Sequence, residues 1–202
     1  MTQGRIIIMI YDYHIHTLFS EDSQMEAEEG IQKAISLGIK EMVFTDHAEL
    51  NVWRPEKGIV NSVFDTSQYI DTMDKLKNKY KDRISIKIGL EIGLQSAEKR
   101  QIKKFVCSNP FDFVIGSTHT IGKYDLYFRK LFEDTPKEEA YRKYFSETLK
   151  NVQEIESYNV YGHLDMVKRY AYGQYEDVEL NTEDLDYIEQ ILKEIIYKGK
   201  GL

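Results

Sequence analysis

Cysteine and proline are scarce in this chain: one cysteine and three prolines occur in 202 residues. A single cysteine, Cys107, excludes an intrachain disulfide. It ends the helix-like run Ser96 to Cys107, where a free thiol is expected to pack as a small hydrophobe rather than act as a nucleophile. No apolar run approaches the roughly 20 residues that a membrane span needs. Ile6 to Tyr11 is too short for the apolar region of a signal peptide, and no cleavage site follows it, so a cytoplasmic location is expected. Basic charge is also lacking. A net charge of -7 argues against a nucleic-acid surface, and with no apolar run of membrane-spanning length no membrane partner is expected. The net charge does not argue against a small phosphorylated substrate, because a local cluster of cations outweighs the global charge.

What is present suits one folded domain. Apolar residues make up 42% and charged residues 30%, enough for a core with a solvated surface. Residues 1–8 read as a leader, with Met9 as an alternative start, and residues 9–202 as the domain. Short runs rich in Ile, Val, Phe and Tyr predict strands at Ile6–Tyr13, Glu41–Thr45, Ile84–Leu90, Phe111–Ile115 and Tyr158–Tyr161. Amphipathic stretches between them predict helices at Met25–Leu37 (stopped by Gly38), Thr66–Tyr80, Gln95–Cys107, Pro136–Glu156 and from Asn181 or Thr182 to Lys198. Alternating strand and helix implies a parallel sheet, and no glycine-rich dinucleotide fingerprint follows the first strand. The fold class is therefore α/β, of the (β/α) barrel kind rather than doubly wound. Asn51–Asp65 reads as a polar loop and Gly122–Asp134 as an aromatic, charged loop in which Tyr124, Tyr127 and Phe128 pack or face solvent; loops of this length are often functional.

The five histidines, His14, His16, His47, His119 and His163, each fall at or just beyond the C-terminal end of a predicted strand. That end carries the active site of parallel barrels. One histidine there would be read as structural; all of them on one face point to a shared site. Neutral imidazole binds Zn, Mn or Fe, and carboxylates add charge and bridge cations. His14 and His16 share a strand face and suit one ion. Asp12 has the same parity and either orients a ligand histidine or faces solvent. Asp22 lies in the next loop, where an acid is also a helix-cap candidate in competition with Ser20 and Ser23. Glu91 sits in an apolar run between Gly89 and Gly93, where a carboxylate is costly without a cation.

Several segments resemble, in order and spacing, the PHP (polymerase and histidinol phosphatase) family. They are Asp12-Tyr13-His14-Ile15-His16, Phe44-Thr45-Asp46-His47, Glu91, Ile115-Gly116-Ser117-Thr118-His119 and Gly162-His163-Leu164-Asp165. Phe111 to Ser117 and Met166-Val167-Lys168-Arg169-Tyr170 are similar to its histidinol-phosphatase branch in particular. The resemblance spans roughly residues 9–198. It implies a distorted seven-stranded (β/α) barrel with up to three divalent metal ions, Zn, Mn or Fe. His14, His16 and Glu91 would hold one, with Glu91 bridging to a second held by His119 and His163. Asp22 and His47 would hold the third; the family often has histidine at the Asp22 position.

The implied activity is hydrolysis of a small phosphomonoester, L-histidinol phosphate to L-histidinol in histidine biosynthesis. Glu91, His119 and Arg169 are the expected catalytic residues, and Arg169 and Ser117 the expected phosphate contacts. Alternatives are another phosphoesterase of the family, acting on phosphotyrosine, a nucleotide or a nucleic-acid end, or an inactive metal-binding module. The family's final Asp-X-His motif has no counterpart after Asp165. The barrel is therefore expected to be incomplete at its C-terminus, lacking the final strand. Its open edges would be covered by a partner chain, as in a homo-oligomer, or by rearrangement.

Overall fold

The computed structural model describes residues 9–133, 135–177 and 179–202. The leader expected over residues 1–8 lies outside the described residues, as does the start of the first predicted strand. That strand, β1, runs Ile10–Ile15. Helix α1 (Ala27–Ser36), β2 (Ile39–Phe44), the hairpin β3 (His47–Arg54) and β4 (Gly58–Val63), α2 (Thr66–Tyr80) and β5 (Ser85–Gly93) follow. A 3-10 turn leads into α3 (Lys99–Cys107), then come β6 (Phe113–Ser117) and the short β7 (Thr120–Ile121) and β8 (Tyr124–Asp125). The chain closes with α4 (Lys137–Glu154), β9 (Val160–Tyr161), α5 (Met166–Ala171) and α6 (Thr182–Tyr197).

Parallel pairing runs β1–β2–β5–β6–β9, and β3 takes over beside β5 where β2 ends, placing His47 opposite Glu91. Helices cover the outer face. Among the described residues β1 and β9 are not paired with each other, so the sheet is an open arc of the expected barrel.

The sequence of β5 shows how the arc sorts its faces. Ile86, Ile88, Leu90 and Ile92 are all buried under helices, and a fully buried side chain of this size contributes about 1.5–3 kcal/mol. The alternate residues Gly89, Glu91 and Gly93 face inward, so the site's carboxylate stands on the opposite face from the apolar core. Ile31 of α1 and Tyr69 and Met73 of α2 pack on β2 and β5 in one cluster. The Tyr69 hydroxyl reaches the carbonyls of Phe44 and Gly89, each at 3.0 Å, tying α2 to the two strand ends that frame the site. Leu90, Ile92 and Leu94 join a second cluster with Tyr141, Tyr144 and Phe145 of α4.

Boundaries agree at α2 and α6 because their caps are local. Asp65 accepts from the Gln68 amide at the start of α2, a bond contributing about 1 kcal/mol. Asn181 and Asp184 form a capping box on α6. Gly38 ends α1 with φ of 77°, a conformation that suits glycine.

Three expectations change. Most of the supposed polar loop Asn51–Asp65 lies in the β3–β4 hairpin; its turn holds Glu56 and Gly58 at positive φ. His47 opens β3 rather than closing β2. Cys107 is exposed, not packed, because the inward face of α3 belongs to Ile102, with Phe105 and Val106 beside it, and Cys107 falls off that face. No described helix is long and apolar enough to cross a membrane.

Candidate metal centre

The five histidines converge on one carboxylate. Glu91 is fully buried. Its Oε2 lies 3.0 Å from Nε2 of His14, 3.0 Å from Nε2 of His16 and 3.1 Å from Nε2 of His47. Its Oε1 lies 2.8 Å from Nε2 of His163 and 3.2 Å from Nε2 of His119. The strand ends deliver these rings from different directions. His14 sits in β1, His16 just past it, His119 just past β6 and His163 just past β9. His163 has φ of 23°, a backbone conformation that persists only where the surroundings enforce it.

The chemistry of this donor set fits divalent metal ions. Five imidazole nitrogens face one carboxylate. A neutral imidazole that turns its lone pair toward a carboxylate is repelled by it. Cations satisfy both groups: either five protons, which crowd five positive charges together, or metal ions held between nitrogen and oxygen. Without metal, protons take the part. Burial alone would raise the Glu91 pKa, yet the charge on His119 and hydrogen bonds from His119, His14 and His16 hold it well below the carboxylate range. Burial pulls His16 down, but hydrogen bonds to Asp22 and Glu91 push it up to about 9. His119 is likewise driven well above its ordinary value despite burial, by the charges of Glu49 and Glu91, whereas burial lowers His163. Three ligand groups have atoms close enough to share an ion: His14, His16 and Glu91; His16, Asp22 and His47; and His47, Glu91 and His119.

Asp22 joins this set from the loop after β1. Its carboxylate stands 3.2 Å from Nδ1 of His16 and 3.3 Å from Nε2 of His47. That loop is anchored by Asp46, which is fully buried. Asp46 accepts from the Thr17 amide at 2.6 Å and the Ser20 hydroxyl at 2.8 Å, while the His47 amide donates to the same Ser20 oxygen. Ser20 is thereby occupied in holding the loop. Among the described residues the Asp12 carboxylate bonds no ligand imidazole; it accepts from the His14 backbone amide at an exposed position, the second of its two expected places.

The centre lies at the floor of a cavity of about 950 Å³. Arg169 stands on its wall, as do Tyr127, Phe128, Arg54, Glu21 and Asp125. Arg169 is exposed and makes no ion pair among the described residues. Arg54 is pinned by Asp125 at 2.6 Å and lies over the Phe128 ring. Ser117 is not on the wall. Its hydroxyl, fully buried, donates to Glu91 Oε1 at 2.7 Å, which places it behind the centre. Gly162 makes this possible, because a Cβ there would overlap the Ser117 hydroxyl.

Sequence reasoning passed over Glu49. It is buried, and its Oε1 lies 2.5 Å from His119 Nδ1 and 3.9 Å from His47 Nδ1. Burial raises its pKa, but the charge and hydrogen bond of His119 bring it down to about 2. The available signal was its position two residues after His47, on the same face of a strand. Residues 46–50 fell between the strand expected over Glu41–Thr45 and the loop expected over Asn51–Asp65, which concealed it.

Comparison with known proteins agrees with this geometry. The model of the PHP domain matches residues 12–202. A histidinol-phosphatase from Lactococcus lactis subsp. lactis (strain IL1403) is 37% identical over 193 residues, covering 95% of this chain and 69% of that protein. A "Probable histidinol-phosphatase" from Clostridium acetobutylicum is 37% identical over 191 residues, covering 93% of this chain and 69% of that protein. The crystal structure of the Lactococcus lactis histidinol phosphate phosphatase, complexed with zinc, L-histidinol and phosphate, superposes with a TM-score of 0.84 at 36% identity. It covers 94% of this chain and 70% of that one.

Proposed function

Because this chain belongs to the family defined by the PHP domain, we propose that it is a metal-dependent phosphomonoesterase that converts L-histidinol phosphate to L-histidinol and phosphate. The observation that carries this reading is the convergence of five imidazoles on the buried Glu91 at the floor of a cavity large enough for a small phosphoester. His14, His16 and Glu91 would hold one ion, Glu91, His119 and His163 a second, and Asp22 with His47 a third. Clustered divalent ions supply activation of water near neutral pH and neutralisation of phosphoryl charge.

The chain's own residues set the geometry around that chemistry. Hydrolysis joins a water oxygen to phosphorus and breaks the ester P–O bond, and the departing alkoxide takes a proton. Arg169, on the cavity wall with no ion pair among the described residues, suits the phosphate, since a guanidinium grips phosphate oxygens with paired N–H bonds. Ser117 and Gly162 fix Glu91 from behind, so Ser117 acts as a positioning residue rather than a phosphate contact. Other residues of the wall suit the rest of the substrate. Glu21 and Asp125 share the Arg54 guanidinium, leaving one net negative charge for an ammonium group, and Tyr127 and Phe128 offer aromatic faces to an imidazole ring. The reaction is a step of histidine biosynthesis, which we place in the cytoplasm.

The test is phosphate release from L-histidinol phosphate with added Mn2+ or Zn2+, using this chain beside His119→Ala. Release by the parent and none by the variant is the expected result. Equal release by both would remove the metal centre from the reaction. No release by the parent across a panel of small phosphomonoesters would overturn the reading.

A further inference from the structure

Glu49 is a buried carboxylate lining the cavity that belongs to none of the three candidate ligand groups. We infer that Glu49 is a positioning residue, a buried carboxylate that fixes the tautomer and orientation of His119, and braces His47, so that their Nε2 atoms are presented to metal. This rests on the metal-binding part of the proposed function and is independent of the substrate.

Several observations meet here. The Glu49 Oε1 to His119 Nδ1 distance is 2.5 Å, and a carboxylate there accepts the Nδ1 hydrogen. The His119 proton is then committed to Nδ1, which leaves the Nε2 lone pair for a cation. Nε2 of His119 points at Glu91, 3.2 Å away. The same Glu49 oxygen lies 3.9 Å from Nδ1 of His47, whose Nε2 also points at Glu91. One carboxylate therefore stands behind two histidines that approach the centre from different strand ends.

The fold reserves space for it. β3 lies beside β5 in parallel register, with Ala48 opposite Ile92, which brings Glu49 next to Gly93. A Cβ on residue 93 would overlap the Glu49 carboxylate. Gly93 carries no positive φ, so glycine is required there by room rather than by backbone conformation. A charge buried this deeply with no lysine or arginine paired to it among the described residues is costly. The histidines are the partners that offset it, and the arrangement makes sense when those histidines serve a cation beyond.

Co2+ binding to the parent chain, Glu49→Gln, His119→Ala and the double variant tests this without substrate. Glu49→Gln should weaken Co2+ binding by about 10–100-fold and alter the visible absorption of the bound ion. In the His119→Ala background the Glu49→Gln change should lose most of its effect, because it acts through that ring. Glu49→Asp should restore part of the affinity.

Parental Co2+ affinity and spectrum in Glu49→Gln would overturn the inference. So would an equal effect with and without His119, or a loss of substrate affinity with metal binding intact. If Glu49→Gln does not fold, imidazole nitrogen NMR of the zinc-loaded parent decides the matter. A proton on Nδ1 of His119 with metal on Nε2 supports the assignment, and metal on Nδ1 ends it. A parent that binds no Co2+ would instead overturn the metal-site reading itself, whereas a parent that binds Co2+ but releases no phosphate would sink only the substrate reading.

Discussion

The inner and outer sides of the metal centre are built differently. On the inner side Glu91, His119 and Glu49 have side-chain exposures of 0%, 8% and 5%, and all are set by strands of the parallel arc. On the outer side His14 and Asp22 are 38% and 55% exposed, and Asp22 hangs on a loop tied down by Asp46. The inner side is positioned by sheet register and packing, the outer side by a few hydrogen bonds. A buried ligand without its cation is expensive, while an exposed one is solvated by water. The inner side should therefore bind metal more tightly and govern both stability and turnover, with the outer side modulating them.

The largest expected effect breaks that comparison from the inside. Glu91→Ala removes the carboxylate shared by all five histidines. Phosphate release should fall by more than the ~10–100-fold typical of outer partners, and elemental analysis should show that bound metal is lost at more than one position. Near-parental metal content in this variant would mean that the histidines bind metal without a shared bridge.

Protons compete for the same nitrogens. Metal needs neutral imidazole, and in the metal-free centre His16 keeps its proton up to about 9. Metal affinity should therefore fall on acidification, by about tenfold per pH unit for each proton that returns. In the metal-free protein the sign is opposite. His16, His47 and His119 are raised and His163 alone is lowered. The His16 contribution to stability is then full below the unfolded value near 6.5 and is lost as pH rises through about 9. Thermal unfolding with and without Zn2+ across this window should show slopes of opposite sign.

The outer side should yield less. Asp22→Asn is expected to lower activity by about tenfold and to release one ion at most, since its histidine partners His16 and His47 also face Glu91. Activity lost as completely as in Glu91→Ala would erase the distinction between the two sides. Gly93→Ala sharpens it from the fold. It forces the Glu49 carboxylate aside and should cost about 1–3 kcal/mol in an unfolding titration. Cys107→Ser, at an exposed position far from either side, should change stability by no more than about 0.5 kcal/mol.

Much of this was legible in the sequence, and the reasons are local. Helix caps such as Asp65 and Asn181 act within a few residues of themselves. Strands such as β5 announce themselves by their own composition. The five histidines stood out because each followed an apolar run. The β3–β4 hairpin was hidden because its polar residues, Asn51, Asn61 and Ser62, gave it the composition of a loop. The alternation of Ala48, Leu50 and Val52, and the Glu56-Lys57-Gly58 turn, were the weaker signals that it was not one. Cys107 was misplaced because helical periodicity gives a face only when its neighbours are counted: Ile102 and Phe105 set that face, and Cys107 lies off it.

By itself, then, the sequence determined the ligand types, the order of the strands that carry them and the class of chemistry they serve. These are properties of residues and of short runs. Which nitrogen faces which oxygen was decided by the tertiary structure alone. His14 and Glu91 are 77 positions apart, and Glu49 and His119 are 70 apart. Their meeting depends on the register of β3 against β5 and on the space left at Gly93. The energy that fixes such contacts comes from burial on the opposite face of the same strands, so no run of residues around either partner contains the information.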